Sequence, residues 1–325
     1  MPSALPARPR DTSRFYAALA GGLALVALLR FLPFQTPYPL LPLESLAFWA
    51  LLPAYPLALI ALARRHRRIA TVLAGLALVH LAWTFEWLPW RDGDGQDAAP
   101  LVRVLDANLL APRPSDALAD EILGADADVL ALQEVSVEWL ALLDARGARE
   151  GYPFRVVEAH PLDQDYFGIA VLSRRPLVDA GIERVESVPI ARADLGVGGR
   201  SLRIYSVHTG PPATSGWAAL YQRQMDWLAT RLASDVEAFD VVVATGDFNA
   251  SPFAYAHRRL RALGLVDAHE AAGRGLATTW PNGIFGVPPM RLDHAYVRGA
   301  AIRSVRELPA HTSDHSPIVI ELGTR

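Results

Sequence analysis

Three apolar stretches follow one another in the first ninety residues, and no other feature limits the fold of this chain as much. The first covers about 15–34 and is interrupted by Arg30; the second, 45–63 (SLAFWALLPAYPLALIALA), carries no charge; the third, 69–90, has Glu86 near its end. Each approaches the ~20 residues that a helix needs to cross a hydrocarbon core. Pro53 and Pro56 would kink the second stretch, which membrane helices tolerate. The basic run RRHRR (64–68) separates the second stretch from the third, and Arg8, Arg10 and Arg14 precede or open the first. Short basic segments stay cytoplasmic. Both clues therefore place the N-terminus inside and everything after the third stretch outside. The expectation is a membrane domain over 1–90 with three transmembrane helices in the cytoplasmic membrane, its partner the lipid bilayer. A cleaved signal peptide fits less well, because no small-residue cleavage site stands out and two more apolar stretches follow. His80 is expected to face a neighbouring helix.

The segment RDGDGQDAAP (91–100) reads as a polar linker, and 101–325 as a separate domain. Charge divides the same way. Residues 1–90 hold eight arginines and three acids, leaving 23 arginines against 31 acids for the rest. An acidic domain has no evident footprint for gripping nucleic acid. With no cysteine in the chain, disulfides, thiolate catalysis and cysteine–zinc sites are excluded.

From residue 101 onward strand and helix patterns alternate. Strands are expected at 102–109, 129–133, 155–158, 168–173, 201–208, 241–246, 292–297, 301–306 and 317–322. Helices are expected at 115–123, 137–145, 214–232 and 252–263, with Ser115 and Thr214 as N-caps. So many strands, some in hairpin succession, call for an α/β (α+β) fold of two packed sheets flanked by helices.

Several strands finish on polar residues. VRVLDANLL carries Asn108, ADVLALQEV ends on Gln133 and Glu134, and LRIYSVHTGPP ends on His208. VVVATGDFNASPF runs into Asp247 and Asn249, MRLDHAYVRG carries Asp293, and HTSDHSPIVIEL places Asp314 and His315 before the last strand. Singly, each reads as turn or cap chemistry. Turn chemistry does not account for the set and its order.

That order resembles the endonuclease/exonuclease/phosphatase superfamily, the deoxyribonuclease I-like fold. The resemblance covers 101–323. Gly246-Asp247-Phe248-Asn249 and Ser313-Asp314-His315 are its most specific parts, supported by FGIAVLSR (167–174). It implies a four-layer α/β sandwich and hydrolysis of phosphodiesters or phosphomonoesters with Mg²⁺ or Mn²⁺. On this resemblance Asn108 and Glu134 hold the metal, joined by Asp314. Asp247 activates the attacking water, and Asn249 fixes its position or a phosphate oxygen. His315, braced by Asp293, and His208 contact the phosphate. A His at 208 resembles the branch of deoxyribonuclease I, sphingomyelinases and inositol polyphosphate 5-phosphatases, which braces that His with a carboxylate; Asp165 is the candidate here, with Asp163 and Glu158 as competitors. The other histidines, His160, His257, His269, His294 and His311, read as surface or packing residues.

Such chemistry needs charge neutralisation, an activated water and a stabilised leaving group, and Mg²⁺ prefers a few oxygen ligands. The expectation is a membrane-anchored, metal-dependent phosphoesterase on the outer face of the membrane. Its substrate would be a lipid headgroup or small phosphoester, with an extracellular nuclease and a non-catalytic binding module as alternatives. No obligate protein partner is called for. Specificity is expected from segments 159–167, 187–199 and 275–290.

Overall fold

The central strands of the C-terminal domain alternate between two apolar surfaces and are buried on both sides, and that pattern builds four layers. In the computed structural model, which describes residues 13–88, 95–162 and 166–325, twelve strands form two sheets. They are β1 (Pro100–Asn108), β2 (Val129–Gln133), β3 (Phe154–Glu158), β4 (Ile169–Ser173), β5 (Leu177–Val185), β6 (Val188–Val197), β7 (Arg200–His208), β8 (Val241–Asp247), β9 (Val266–Asp267), β10 (Asp293–Arg298), β11 (Ala301–Glu307) and β12 (Ile318–Gly323). One sheet runs β11-β12-β1-β2-β4-β3 and the other β5-β6-β7-β8-β10-β9.

β8 shows how the layers are specified. Val241 and Val243 face the inter-sheet core with Val104, Val129, Val171, Leu202 and Ile204. Val242 and Ala244 face outward, onto Tyr221, Met225, Leu228 and Leu232 of the helix Ser215–Ala238. On the other flank, Leu105, Leu130 and Leu172 pack against Leu118, Ile122, Trp139 and Leu143. Ser115 and Thr214 cap their helices as expected, accepting from Leu118 N at 3.4 Å and Trp217 N at 3.3 Å.

The β5–β6 hairpin was not anticipated: 187–199 reads as a loop in sequence but lies largely within β6. Its charged residues hide the strand signal, and they are paired across the sheet. Arg203 of β7 clamps Asp194 of β6 through two 2.7 Å bonds and reaches Asp235 at 2.6 Å, while Arg192 bonds Asp179 of β5 at 2.8 Å.

The N-terminal expectation is corrected. Among the described residues no helix is long and apolar enough to cross a membrane. The first stretch forms a helix over Ser13–Leu29, 17 residues, or ~26 Å against a ~30 Å hydrocarbon core. The second is broken into Ala47–Leu51 and Ala54–Ala63 at Pro53, which has no N–H to donate and constrains the residue before it; a short helix, Leu41–Ser45, precedes them. The third helix, Arg67–Thr84, opens on two arginines. These helices pack on one another through Ala20, Ala61, Ala70 and Leu73. His80 does meet another helix, its Nδ1 3.0 Å from the Tyr55 hydroxyl.

This helical unit also packs directly on the C-terminal domain. The buried Glu44 carboxylate accepts from Thr36 and, at 3.3 Å, from Tyr255 N. Arg30 donates to Pro252 O at 3.2 Å, Arg258 to Leu32 O at 3.2 Å, and Trp49 Nε1 to Pro289 O at 2.8 Å. Phe253 is enclosed with Ala47 and Trp87. The helix expected at 252–263 accordingly starts later, at Tyr255, since 252–254 serves this contact.

Glu307 ties β11 to the short helix Ala268–Ala271. Burial alone would raise its pKa, but the His269 Nε2 hydrogen bond at 3.1 Å and Arg274 outweigh burial and hold the carboxylate at about 2. His269 is itself lowered by burial, so near neutral pH the charge in this group comes from Arg274. With an unfolded value of ~4.3, the stabilisation is complete above that pH and is lost as pH falls through about 2. Glu307→Gln is expected to lower stability at pH 7 by on the order of 2 kcal/mol. The deficit should vanish near pH 2 in denaturant titrations; an equal deficit at both pH values would refute the linkage.

Candidate active site

Strand register assembles the site. His208 at the end of β7 lies beside Asp247 at the end of β8, and Asp293 at the start of β10 is paired with Asp247 from the other side. In the second sheet Asn108 of β1 is in register with Gln133 of β2, and Glu134 follows. His315 comes from the segment leading into β12 and is tied to β1: Ser313 Oγ donates to Asn108 O at 2.8 Å and accepts from His315 N at 3.1 Å. The polar ends of both sheets thus meet at one edge of the sandwich.

The contacts are close. His315 Nδ1 lies 2.8 Å from Asp293 Oδ2, and its Nε2 lies 3.6 Å from Asp247 Oδ2. His208 Nε2 lies 3.7 Å from the same oxygen and 4.0 Å from Glu134 Oε1. Asn108 Nδ2 donates to both Asp247 Oδ2 and Glu134 Oε1, each at 3.2 Å. Asn249 N donates to Asp247 Oδ1 at 2.8 Å, and its carboxamide donates to Thr209 O at 2.7 Å. Trp280 Nε1 donates to Asp314 Oδ2 at 3.2 Å.

Two side chains are aimed by uncommon backbone: Glu134 has φ +54° and Asn249 φ +46°, conformations that non-glycine residues hold only where the surroundings impose them. Gly246 before Asp247 has a steric reason, since a Cβ there would sit 1.9 Å from Val207 O and φ is +144°.

The charges fit a site built for an anion and a cation. Burial works against the His315 imidazolium, but Asp293 and Asp247 outweigh it and the pKa is pushed up to about 10. Burial lowers His208. Burial also raises Asp247, reinforced by Asp293 and opposed by the two histidines, which makes it a stronger base than an exposed Asp. Glu134 is raised by burial, with Asp314 adding repulsion.

Nearly every expected residue meets at this edge: Asn108, Glu134, His208, Asp247, Asn249, Asp293, Asp314 and His315. Asp165 lies outside the described residues, as does Asp163. Glu158 bonds Arg184 at 2.5 Å and His160 at 3.0 Å. His208 Nδ1 has no hydrogen-bond partner among the described residues, and the Phe167 ring lies 5.1 Å from the imidazole. Trp280 was missed: its role depends on a loop contact that no local pattern announces. His257, His269 and His294 are packing residues, fully or almost fully buried.

The carboxylate oxygens of Glu134 and Asp314 suit a hard divalent cation, which would relieve their mutual repulsion; Asn108 turns Nδ2 toward Glu134 and would offer its oxygen with the carboxamide turned over. Among the described residues two groups of His and Asp side chains, neither of them this set, have ligand atoms within 4.8 Å of one another. One, Asp247–Asp293–His315, is the acid–base array itself. The other, His257–Asp267–His294, is closed: His294 Nδ1 meets Asp267 at 2.6 Å and Nε2 meets Ala250 O at 2.9 Å, while Arg291 lies 3.5 Å from Asp267.

Fold and site together define a phosphoester hydrolase. A sequence model of the Endonuclease/Exonuclease/phosphatase family matches residues 102–315, and the chain belongs to that family, metal-dependent hydrolases acting on phosphoester bonds. Solved structures similar to it include truncated Caenorhabditis elegans TDP2 (18% identity, 69% of this chain and 98% of that one, TM-score 0.55). D. rerio TDP2 complexed with single strand DNA product is similar too (16% identity, 69% and 99%, TM-score 0.55). So is the human Nocturnin catalytic domain with bound sulfate anion (21% identity, 70% and 94%, TM-score 0.53). At these identities the likeness shows the fold alone. No curated protein matches the chain in sequence.

Proposed function

We propose that the chain hydrolyses a lipid-headgroup or small-molecule phosphoester by in-line attack of water, with Mg²⁺ or Mn²⁺ as its ion. The observation that carries this reading is the Asp293–His315–Asp247–His208 array, with contacts of 2.8, 3.6 and 3.7 Å, set beside the Asn108–Glu134 pair. Asn108, Glu134 and Asp314 would hold the ion, which when bound neutralises phosphate charge and acidifies water. Asp247 orients the attacking water and accepts its proton. Asn249, in the turn after β8, holds the Asp247 carboxylate through its N–H. The His315 imidazolium, held by Asp293, donates from Nε2 to a phosphoryl oxygen, and His208 Nε2 faces the same space.

The helical unit supports the tilt toward lipid. Phe15, Leu25, Leu28, Leu59, Leu62 and Leu78 are each more than half exposed, an apolar surface suited to a bilayer. Our reading lays this surface against the cytoplasmic membrane, with the catalytic domain at the outer face. A non-catalytic role fits poorly, since the acid–base and oxygen-donor positions are all filled. The nuclease alternative gains from the similar TDP2 structure with a DNA product.

The test is a substrate panel on the full chain with Mg²⁺ or Mn²⁺: phosphoinositides, sphingomyelin, small phosphodiesters, single-stranded DNA and RNA. Faster turnover of lipid or small esters is expected. Preference for DNA or RNA would make the chain a nuclease, and inactivity on all of them would sink the hydrolytic reading.

A further inference from the structure

Between the helical unit and the C-terminal domain lies a cavity of about 230 Å³. Phe48, Trp49, Trp87, Phe253, Leu276 and Met290 are the large apolar side chains of its wall. The largest polar side chains at its margin are turned to protein partners. Trp49 Nε1 donates to Pro289 O at 2.8 Å, and Arg291, almost fully buried, donates to Gly275 O at 2.5 Å and faces Asp267 and Glu270. A guest would meet mainly hydrocarbon and aromatic surface, which favours an apolar group.

Its position connects it to the phosphate site. The 251–253 turn on one side follows Asn249, and Arg291 on the other is two residues before Asp293. The loop between Thr279 and Met290 is a wall common to both spaces. Trp280 N bonds Met290 O at 2.9 Å; Trp280 Nε1 reaches Asp314, while Met290 lines the cavity. The same loop carries an apolar tip, Ile284, Phe285 and Val287, with Phe285 fully exposed. The helical unit is integral to the cavity, because Gly275 packs so closely on Trp87 that a Cβ would lie 2.4 Å from the Trp87 Cβ.

We propose that this cavity receives the hydrocarbon chain of an amphiphilic phosphoester whose phosphate lies against His315, His208 and Asp247, an inference that rests on the phosphoesterase reading. Whole small ligands generally occupy ~300–1,000 Å³, so a cavity of about 230 Å³ suits one arm of a larger molecule. The remainder of a long chain continues over the apolar tip and the exposed helix faces.

The experiment uses the full-length chain with Mn²⁺ and nitrophenyl phosphodiesters that differ only in the second ester, methyl, butyl or octyl. KM is expected to fall about 10- to 100-fold from methyl to octyl, with kcat little changed. In Ala277→Phe and Thr278→Leu, which fill the cavity, the octyl-to-methyl ratio should flatten within each variant. Turnover of all three esters with equal KM, or an undiminished ratio in both variants, overturns the chain site and leaves the phosphoesterase reading intact. No turnover of any ester removes that reading and this inference with it. Occupancy is also read without turnover, by quenching of Trp49 and Trp87 with 8-bromooctan-1-ol. Saturable quenching should be seen in the wild type and reduced in Ala277→Phe; quenching no stronger than that by 2-bromoethanol overturns the cavity assignment.

Discussion

Replacing His315 by alanine is expected to lower kcat/KM for any hydrolysed phosphoester by about a thousandfold or more, as the loss of one acid–base group and one phosphoryl contact together imply. The imidazole is buried with Nδ1 on Asp293 and Nε2 toward Asp247, so no other side chain can take its place. Asp293→Asn separates the two roles of the pair. It keeps the shape but removes the charge that, with Asp247, pushes His315 up to about 10 against the effect of burial. The imidazolium persists below that value and is lost as pH rises through it. The alkaline limb of the wild-type pH–rate profile should therefore lie high, and in Asp293→Asn it should move down by about two units. An unmoved limb, or His315→Ala within tenfold of wild type with its thermal unfolding unchanged, would show that His315 does not act on the phosphate.

Glu134→Gln is the second large effect. Its carboxylate is partly buried, raised by desolvation and by Asp314, and held by Asn108 and Ala111 N. Such a group is a poor ion when alone and a good ligand once a cation is present. The amide variant should need well over ~100-fold more Mg²⁺ or Mn²⁺ for half-maximal activity, since loss of a merely orienting partner gives ~10–100-fold. Wild-type protein should release protons on binding the ion, and the variant should release fewer. Both can be followed by titration calorimetry in buffers of different ionisation enthalpy. Unchanged metal dependence would move the ion away from Glu134.

Much of the C-terminal domain was legible because its signals are local. Buried strands such as VVVATGD read as unbroken apolar runs, and the polar residues that close them are the residues that converge. The hairpin over 177–197 was hidden because Asp179, Arg192 and Asp194 are charged in sequence, and only their cross-strand partners reveal them as strand residues. In the first ninety residues hydropathy measured apolarity correctly but not continuity. Pro53 and the Arg67–Arg68 start cut the helices short, and Glu44 is a buried anchor for Tyr255. Contacts such as Trp280 with Asp314 join residues 34 positions apart, and no periodicity reports them.

The site's reactive groups and the cavity wall are fixed by different means, and this bears on how such a protein diversifies. His208, Asp247 and Asp293 stand on adjacent strands and are spaced by main-chain pairing, so inserting or deleting a residue within β7, β8 or β10 would disperse them all. The loop from Thr279 to Met290 is fastened mainly at its base, through Thr279, Trp280 and Asn282. Its tip can lengthen, shorten or change character while the reactive groups hold their spacing. Inheritance can thus preserve one reaction while trying out many substrates.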